Sequence, residues 1–282
     1  MNESKRERIM IRPRTGWETV DLAELWRYRE LMWRFLLRDI QARYKQTVFG
    51  VLWAVLQPIV MMVVMTFVFG KGLRLDQSHI PGVPYALSFL AAQIVWSFFA
   101  NGLASTASSV TSNAEIIRKI YFPRLIVPIA GLGTATVDFI IALVVFLIAV
   151  SVVKPHFSFA MLLLPIAFLT MLLAAFGAGL LFAGLMVSYR DFRYVVPYCL
   201  QVGFFLTPVI WWEKSVGEMM GAWSIALYLN PITGPLTVFR NVMFGEPVYW
   251  QGWMLSSLVA VLLAVVAIAY FARAEARFAD IA

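Results

Sequence analysis

The groups able to do chemistry are few in this chain of 282 residues, and they are poorly placed for it. A nucleotide-hydrolysing loop needs Gly-x-x-x-x-Gly-Lys-Ser/Thr, whose backbone amides cradle phosphates. The only Gly-Lys pair is Gly70-Lys71; no glycine stands five residues earlier, and Gly72 occupies the place of the hydroxyl residue. The chain therefore has no phosphate loop of its own. Metal-assisted or acid–base chemistry needs His, Cys, Asp or Glu gathered at ligand spacing. His79 and His156, the only histidines, fall in expected loops, and no cluster with that spacing occurs. The single cysteine, Cys199, excludes an internal disulfide; it lies in an apolar run and is expected to be a small buried hydrophobe. One acid, Asp138, stands alone deep in an apolar stretch. A proton or ion relay would need several such groups and an internal repeat, and neither is visible. An interhelical hydrogen bond, or a contact between protomers, is the job expected of Asp138. No catalytic or metal-binding residue is assigned.

The elements that must position these groups are membrane helices. Apolar residues make up 61% of the chain and charged ones 14%, against about 45–50% and about 25% in a soluble domain. Charge is also segregated: residues 77–114 and 155–189 hold no Asp, Glu, Lys or Arg. An uncharged apolar stretch beyond about 18 residues is long enough to cross a bilayer. A soluble enzyme, a disordered chain and a nucleic-acid binder are excluded, and the net charge of +7 is assigned to topology instead. The expected fold is an all-α membrane protein with six transmembrane helices, at 48–70, 84–110, 125–153, 159–187, 194–212 and 250–271. The fifth barely reaches the required length. Three regions follow: a cytoplasmic N-terminal arm (1–47), the six-span domain (48–271) and a cytoplasmic tail (272–282). The arm lacks the apolar core of a cleaved signal peptide, so the first span is expected to direct its own insertion.

Orientation follows from the basic residues. With both termini inside, only Lys71, Arg74, Lys154, Lys214 and Arg240 of the 23 fall outside. The outer connection between spans five and six holds a second apolar stretch, 223–244, broken by Asn230-Pro231 and Gly234-Pro235. Prolines at that density argue against a full span and for short re-entrant helices at the outer mouth. In the arm, Leu25, Leu31, Trp33, Phe35, Leu36, Leu37 and Ile40 recur among arginines. That pattern fits an amphipathic helix in the membrane interface or against a soluble partner. Small-residue pairs (Gly50 with Ala54, Ala175 with Gly179, Gly131 near Gly133) permit close helix approach. Six helices leave little room for a wide channel, so two copies must share the path of any large cargo. Aromatic residues Trp53, Trp96, Phe98, Phe99, Phe204 and Phe205 are candidates to line a glycan path, although interface belts and lipid-facing packing account for many aromatics in membrane proteins.

Five segments form a recognisable set: RDIQARYKQTVFGVLWAVLQPIVMMVVMTFVFG (38–70), PYALSFLAAQIVWSFFA (84–100), SNAEIIRKIYFPRLIVPIA (112–130), SYRDFRYVVPYCLQVGFFLTPVI (188–210) and LNPITGPLTVFRNVMFG (229–245). Together they resemble the permeases of ABC-2-type polysaccharide exporters of O-antigen, capsule and teichoic acid, most of all the O-antigen branch. The resemblance implies a homodimer in the bacterial inner membrane, joined to two copies of a separate ATPase that binds ATP and magnesium. It also implies a cargo of polysaccharide linked to undecaprenyl pyrophosphate. It assigns ATPase coupling to the segment holding Asn113, Glu115, Arg118, Lys119 and Arg124, and to a second contact with Arg190, Asp191 and Arg193. It places the arm where the lipid carrier enters, and Arg38, Arg43 and Lys45 are candidates for its pyrophosphate.

Physical reasoning agrees with the coupling assignment. A short charged segment, bounded by Pro123 between two spans, can pass motion of a soluble partner to both; the same basic residues also satisfy the inside-positive rule. Two other readings remain open. One is an ABC-2 exporter of a smaller lipid or drug. The other is a membrane transferase acting on a polyprenyl carrier, for which the paired acids are missing: the inner loops offer only Glu115 and Asp191.

Overall fold

The computed structural model describes residues 22–45, 52–72, 80, 82–153 and 158–281. Gly50, Arg74, His79, Lys154, His156 and the arm before Leu22 lie outside them. Every regular element among the described residues is helical. The arm forms α1 (Leu22–Arg27) and α2 (Arg29–Tyr44). Next come α3 (Leu52–Met65), continued by a π-helical stretch to Gly72, then α4 (Tyr85–Ser112), the short α5 (Ala114–Lys119) and α6 (Ile126–Val153). A 3₁₀ turn (Phe159–Leu163) leads into α7 (Leu164–Ser188), followed by α8 (Phe192–Leu206) and α9 (Glu213–Met220). A 3₁₀ stretch (Gly221–Leu229), α10 (Thr233–Phe244) and α11 (Trp250–Ile281) complete the chain.

Five of these helices are long and apolar enough to cross a membrane: Leu52–Gly72, Tyr85–Ser112, Ile126–Val153, Phe159–Ser188 and the Trp250–Ala274 part of α11. The fifth expected run is shorter. α8 has 15 residues, about 22 Å at 1.5 Å per residue. It stops before Pro208, which has no N–H with which to continue the ladder. α11 runs on to Ile281, through the segment read as a tail.

α4 is the central helix, packed on α6 and α7, and α7 packs along α11. Small residues make these contacts close. A Cβ on Gly179 would fall 2.6 Å from that of Thr106 in α4, so the Ala175/Gly179 pair serves packing within the chain. Cys199, expected to be buried, is exposed; α8 buries little besides Val196 and Phe204, so its other faces have no cover in this chain. The bundle has two distinct ends. At one, Ile117 of α5, Leu125 and Val187 pack with Val110 and Phe271, which gathers the connections expected inside. At the other, the Tyr85 hydroxyl of α4 donates to the Ile210 carbonyl beyond α8 (2.9 Å). Though short, α8 therefore joins the two ends.

The α7–α11 contact gives a direct test. A Cβ on Gly177 would lie 2.8 Å from the backbone nitrogen of Ala264, which cannot swing aside. Gly177→Ala should destabilise the bundle by about 1–3 kcal/mol, read as earlier thermal unfolding in detergent. Gly217→Ala, where a Cβ would meet only Ser224 at 3.7 Å, should not.

Candidate functional site

The arm docks lengthwise along α6. Phe35 of α2 is buried against Phe122, with ring centroids 5.6 Å apart. The next residue, Leu36, fills with its side chain the space that a Cβ on Gly133 would need. At the end of α2, the Arg43 guanidinium lies 2.9 Å from one Asp138 oxygen and the Tyr44 hydroxyl donates to the other. Pairings that advance together along both helices mean the arm runs beside α6 in the same direction. Asp138, whose side chain is only 12% exposed, has thus found an interhelical bond. Burial, then the hydrogen bond to Asp138, pushes the Tyr44 hydroxyl well above its ordinary pKa. It remains a proton donor throughout the physiological range.

Docking brings two of the three arm cations into a polar pocket of about 690 Å³. Arg38 and Arg43 face the C-terminal half of α4, where Ser105, Ser108, Ser109, Thr111 and Ser112 supply hydroxyls. Arg38 also pairs with Asp39 and donates to the Asn113 side chain at 2.7 Å, while Asn113 donates to the Ser109 carbonyl at 2.8 Å. Asn113 ends α4 and opens α5, so the arm is bonded to the corner expected to couple. Lys45 is exposed at the end of α2 and does not line the pocket.

The remaining candidates divide by exposure. Glu115, Arg118, Lys119, Arg190, Asp191 and Arg193 are exposed at one end of the bundle, Arg124 is half-buried and Asn113 buried. Among the aromatics, Trp53 and Phe205 are exposed. Trp96, Phe99 and Phe204 form a buried cluster with centroid distances of 5.5 and 5.9 Å. Phe98 packs between Phe139 and Phe168 at 5.3 and 5.5 Å, inside the protein core. A smaller cleft of about 230 Å³ lies beside it, bounded by Arg43, Tyr44, Trp53 and Asp138.

At the opposite end, the structure holds a cluster that sequence reasoning missed. Arg240 was expected as an outer-loop cation, but it is wholly buried. It pairs with the buried Glu213 and donates to the Pro208 and Trp211 carbonyls at 2.9 and 3.2 Å. The Asn241 amide donates to the other Glu213 oxygen at 2.9 Å. One side chain thereby ties the end of α8, the start of α9 and α10 together. Gly234-Pro235, expected as a second break, instead sits in the first turn of α10, where a missing N–H costs nothing. Gly234 is required there: a Cβ would lie 2.6 Å from that of Ser256, whose hydroxyl accepts from the Gly234 N–H. The only true break is at Asn230-Pro231. Burial, then the nearby Glu213 charge, raises the pKa of Tyr228 beside this cluster.

Residues 30–244 match the ABC-2 type transporter family, a stretch that includes the docked arm, the charged corner and the buried outer cluster. The chain belongs to that family. It is 25% identical over 246 residues to an O-antigen export system permease of Klebsiella pneumoniae, covering 86% of this chain and 92% of that one. The corresponding permease of Myxococcus xanthus is 25% identical over 221 residues, 78% and 83% of the two chains. A capsule polysaccharide export inner-membrane protein of Neisseria meningitidis serogroup A is 26% identical over 247 residues, 84% and 89%. An ABC-2 permease is a transport component, in keeping with the lack of a phosphate loop in the sequence.

The two outer ion pairs should behave differently. Glu213→Gln leaves the Arg240 charge buried without its partner and should cost about 3–5 kcal/mol, measured as loss of thermal stability and of folded protein in membranes. Lys214, 40% exposed in its pair with Glu246, should tolerate Lys214→Ala within about 1 kcal/mol.

Proposed function

We propose that this chain is the membrane-spanning half of an ATP-driven exporter carrying a lipid-linked polysaccharide outward across the bacterial inner membrane. It forms the path as a homodimer and catalyses nothing. Energy comes from two copies of a separate ATPase, which hold ATP and magnesium and engage the exposed charges of α5 and the α7–α8 corner. α8 completes a sixth crossing and both termini are cytoplasmic, in line with the excess of basic residues on that side. The arm starts at the inner membrane interface, where the carrier lipid enters, and rises along α6 to Asp138.

The observation that carries this reading is the polar pocket between the arm and α4. Its two guanidiniums suit a diphosphate, since planar N–H forks bind phosphate oxygens bidentately; Asp39 and Glu115 line it too, and the hydroxyls of Ser108, Ser109 and Thr111 donate to carbonyls of α4. To bind the diphosphate, Arg38 exchanges its Asp39 partner for phosphate, while Arg43 stays on Asp138 and turns its remaining N–H groups to the phosphate. The Arg38–Asn113 bond links that event to the corner facing the ATPase. A smaller lipid or drug would be better served by an apolar pocket. The relatives named for O-antigen and capsule export, which this chain matches over most of its length, support a polysaccharide cargo; the undecaprenyl pyrophosphate carrier is what the sequence resemblance implies.

Combined charge reversal at Glu115, Arg118 and Lys119 should abolish surface polysaccharide while leaving the amount of protein in the membrane unchanged. Normal export in that variant would refute the coupling assignment. Arg38→Ala removes charge-assisted hydrogen bonds worth about 1.5–3 kcal/mol each and should lower export by about tenfold or more. Phosphate-independent export, unaffected by that change, would count against the pocket.

A further inference from the structure

The polar pocket has a neighbour, and Arg43 lines both. The second space, the cleft of about 230 Å³ between α2, α3, α4 and α6, has a mainly apolar lining into which a few polar groups project. Two amides face it from apolar helices: Gln57 of α3 and Asn101 of α4. Gln57, exposed on the first apolar run, and Asn101, half-buried in the second, have no hydrogen-bond partner among the described residues. Polar groups left open in such helices are costly unless water or a polar ligand satisfies them. Two more groups point the same way. The Ser97 hydroxyl lines the cleft and accepts from Gln93. Pro58 has no N–H to give to the Ala54 carbonyl, and both residues border the cleft.

The walls are aromatic. Trp53, 50% exposed, and the tilted pair Phe98 and Phe139 flank these polar groups. Amide donors and acceptors in the plane of a ring, with an aromatic face for its C–H side, are what a pyranose requires. The size is also restrictive: the volume is below the roughly 300–1,000 Å³ of pockets for drug-sized ligands, which leaves room for one ring and not for a chain.

We infer that this cleft is a subsite for a single sugar, the one attached directly to the carrier diphosphate. The inference rests on the proposed function and deepens it: the diphosphate occupies the Arg38/Arg43 pocket and its first sugar occupies the Gln57/Asn101 cleft. Asp138 acts here as a positioning residue, holding Arg43 and Tyr44 at the boundary between the two. Reading this joint would let one transporter accept glycans of any length, since only the reducing end is inspected. It would also reject carrier that has no sugar.

The test uses the full chain purified in lipid nanodiscs and two probes: undecaprenyl diphosphate, and the same lipid bearing one hexose. Binding is followed by tryptophan fluorescence. The hexose-bearing probe should bind about tenfold more tightly, as expected for two or three added hydrogen bonds at a wet site. Gln57→Ala with Asn101→Ala should remove that difference and leave the affinity for undecaprenyl diphosphate unchanged. Trp53→Ala should weaken only the hexose-bearing probe, and Trp53→Phe should restore it. Equal binding of both probes by the unaltered protein overturns the subsite while the exporter reading stands. A sugar preference that survives in the double variant also overturns it, because the sugar is then read elsewhere. If neither probe binds, the lipid-linked substrate itself is wrong, and the inference falls with it.

Discussion

A carboxylate twelve residues into an apolar helix has to be neutralised, and the placement of much of this molecule follows from how Asp138 is neutralised. A buried charge without a partner costs several kcal/mol. The arm answers it by lying along α6, so that Arg43 and Tyr44 reach the carboxylate together. Once that end is fixed, the helical repeat of α2 places Leu36 over Gly133, Phe35 on Phe122 and Arg38 beside Asn113. The two polar spaces at the arm are consequences of this docking. Without it, the hydroxyls of α4 would face no cation, and the charged corner would have no bond to the arm.

The opposite end of the bundle solves the same problem by a different route. Arg240 and Glu213 are both buried, and each is surrounded by further hydrogen bonds: two carbonyls for the arginine and an amide for the carboxylate. Such a pair contributes little net stability against an apolar replacement, but it fixes one arrangement of the segments it joins. It holds the strap between α8 and α9 to α10, with Tyr85 and Asn230 adding bonds to the same strap. By contrast, the charges on α5 and the α7–α8 corner are left exposed. Exposed charges gathered on two neighbouring turns present a surface for water or a partner.

Much of this was legible in the residues. The runs at 84–110 and 125–153 match α4 and α6 to within two residues, because a helix in lipid must be apolar along its length and end where charge or proline begins. The Asn230-Pro231 break was visible for the same reason. Gly234-Pro235 was misread, since proline in a first turn and proline in a break look alike until the helix start is known. Cys199 was misplaced because an apolar run does not reveal which of its faces is covered. Arg240 looked like any outer cation; that it is buried depends on Glu213, 27 residues away.

The sequence by itself determined that this is an all-helical membrane protein with no phosphate loop. Those properties are summed residue by residue, from hydropathy, charge and local backbone rules, and need no knowledge of neighbours. Only the tertiary structure decided that Arg43 and Tyr44 meet Asp138, that Gln57 and Asn101 open on one cleft, and that Arg240 is buried with Glu213. Each of these joins residues far apart in the chain. Their contact depends on which faces of the helices pack together, and close packing of small residues such as Gly133 and Gly179 settles that.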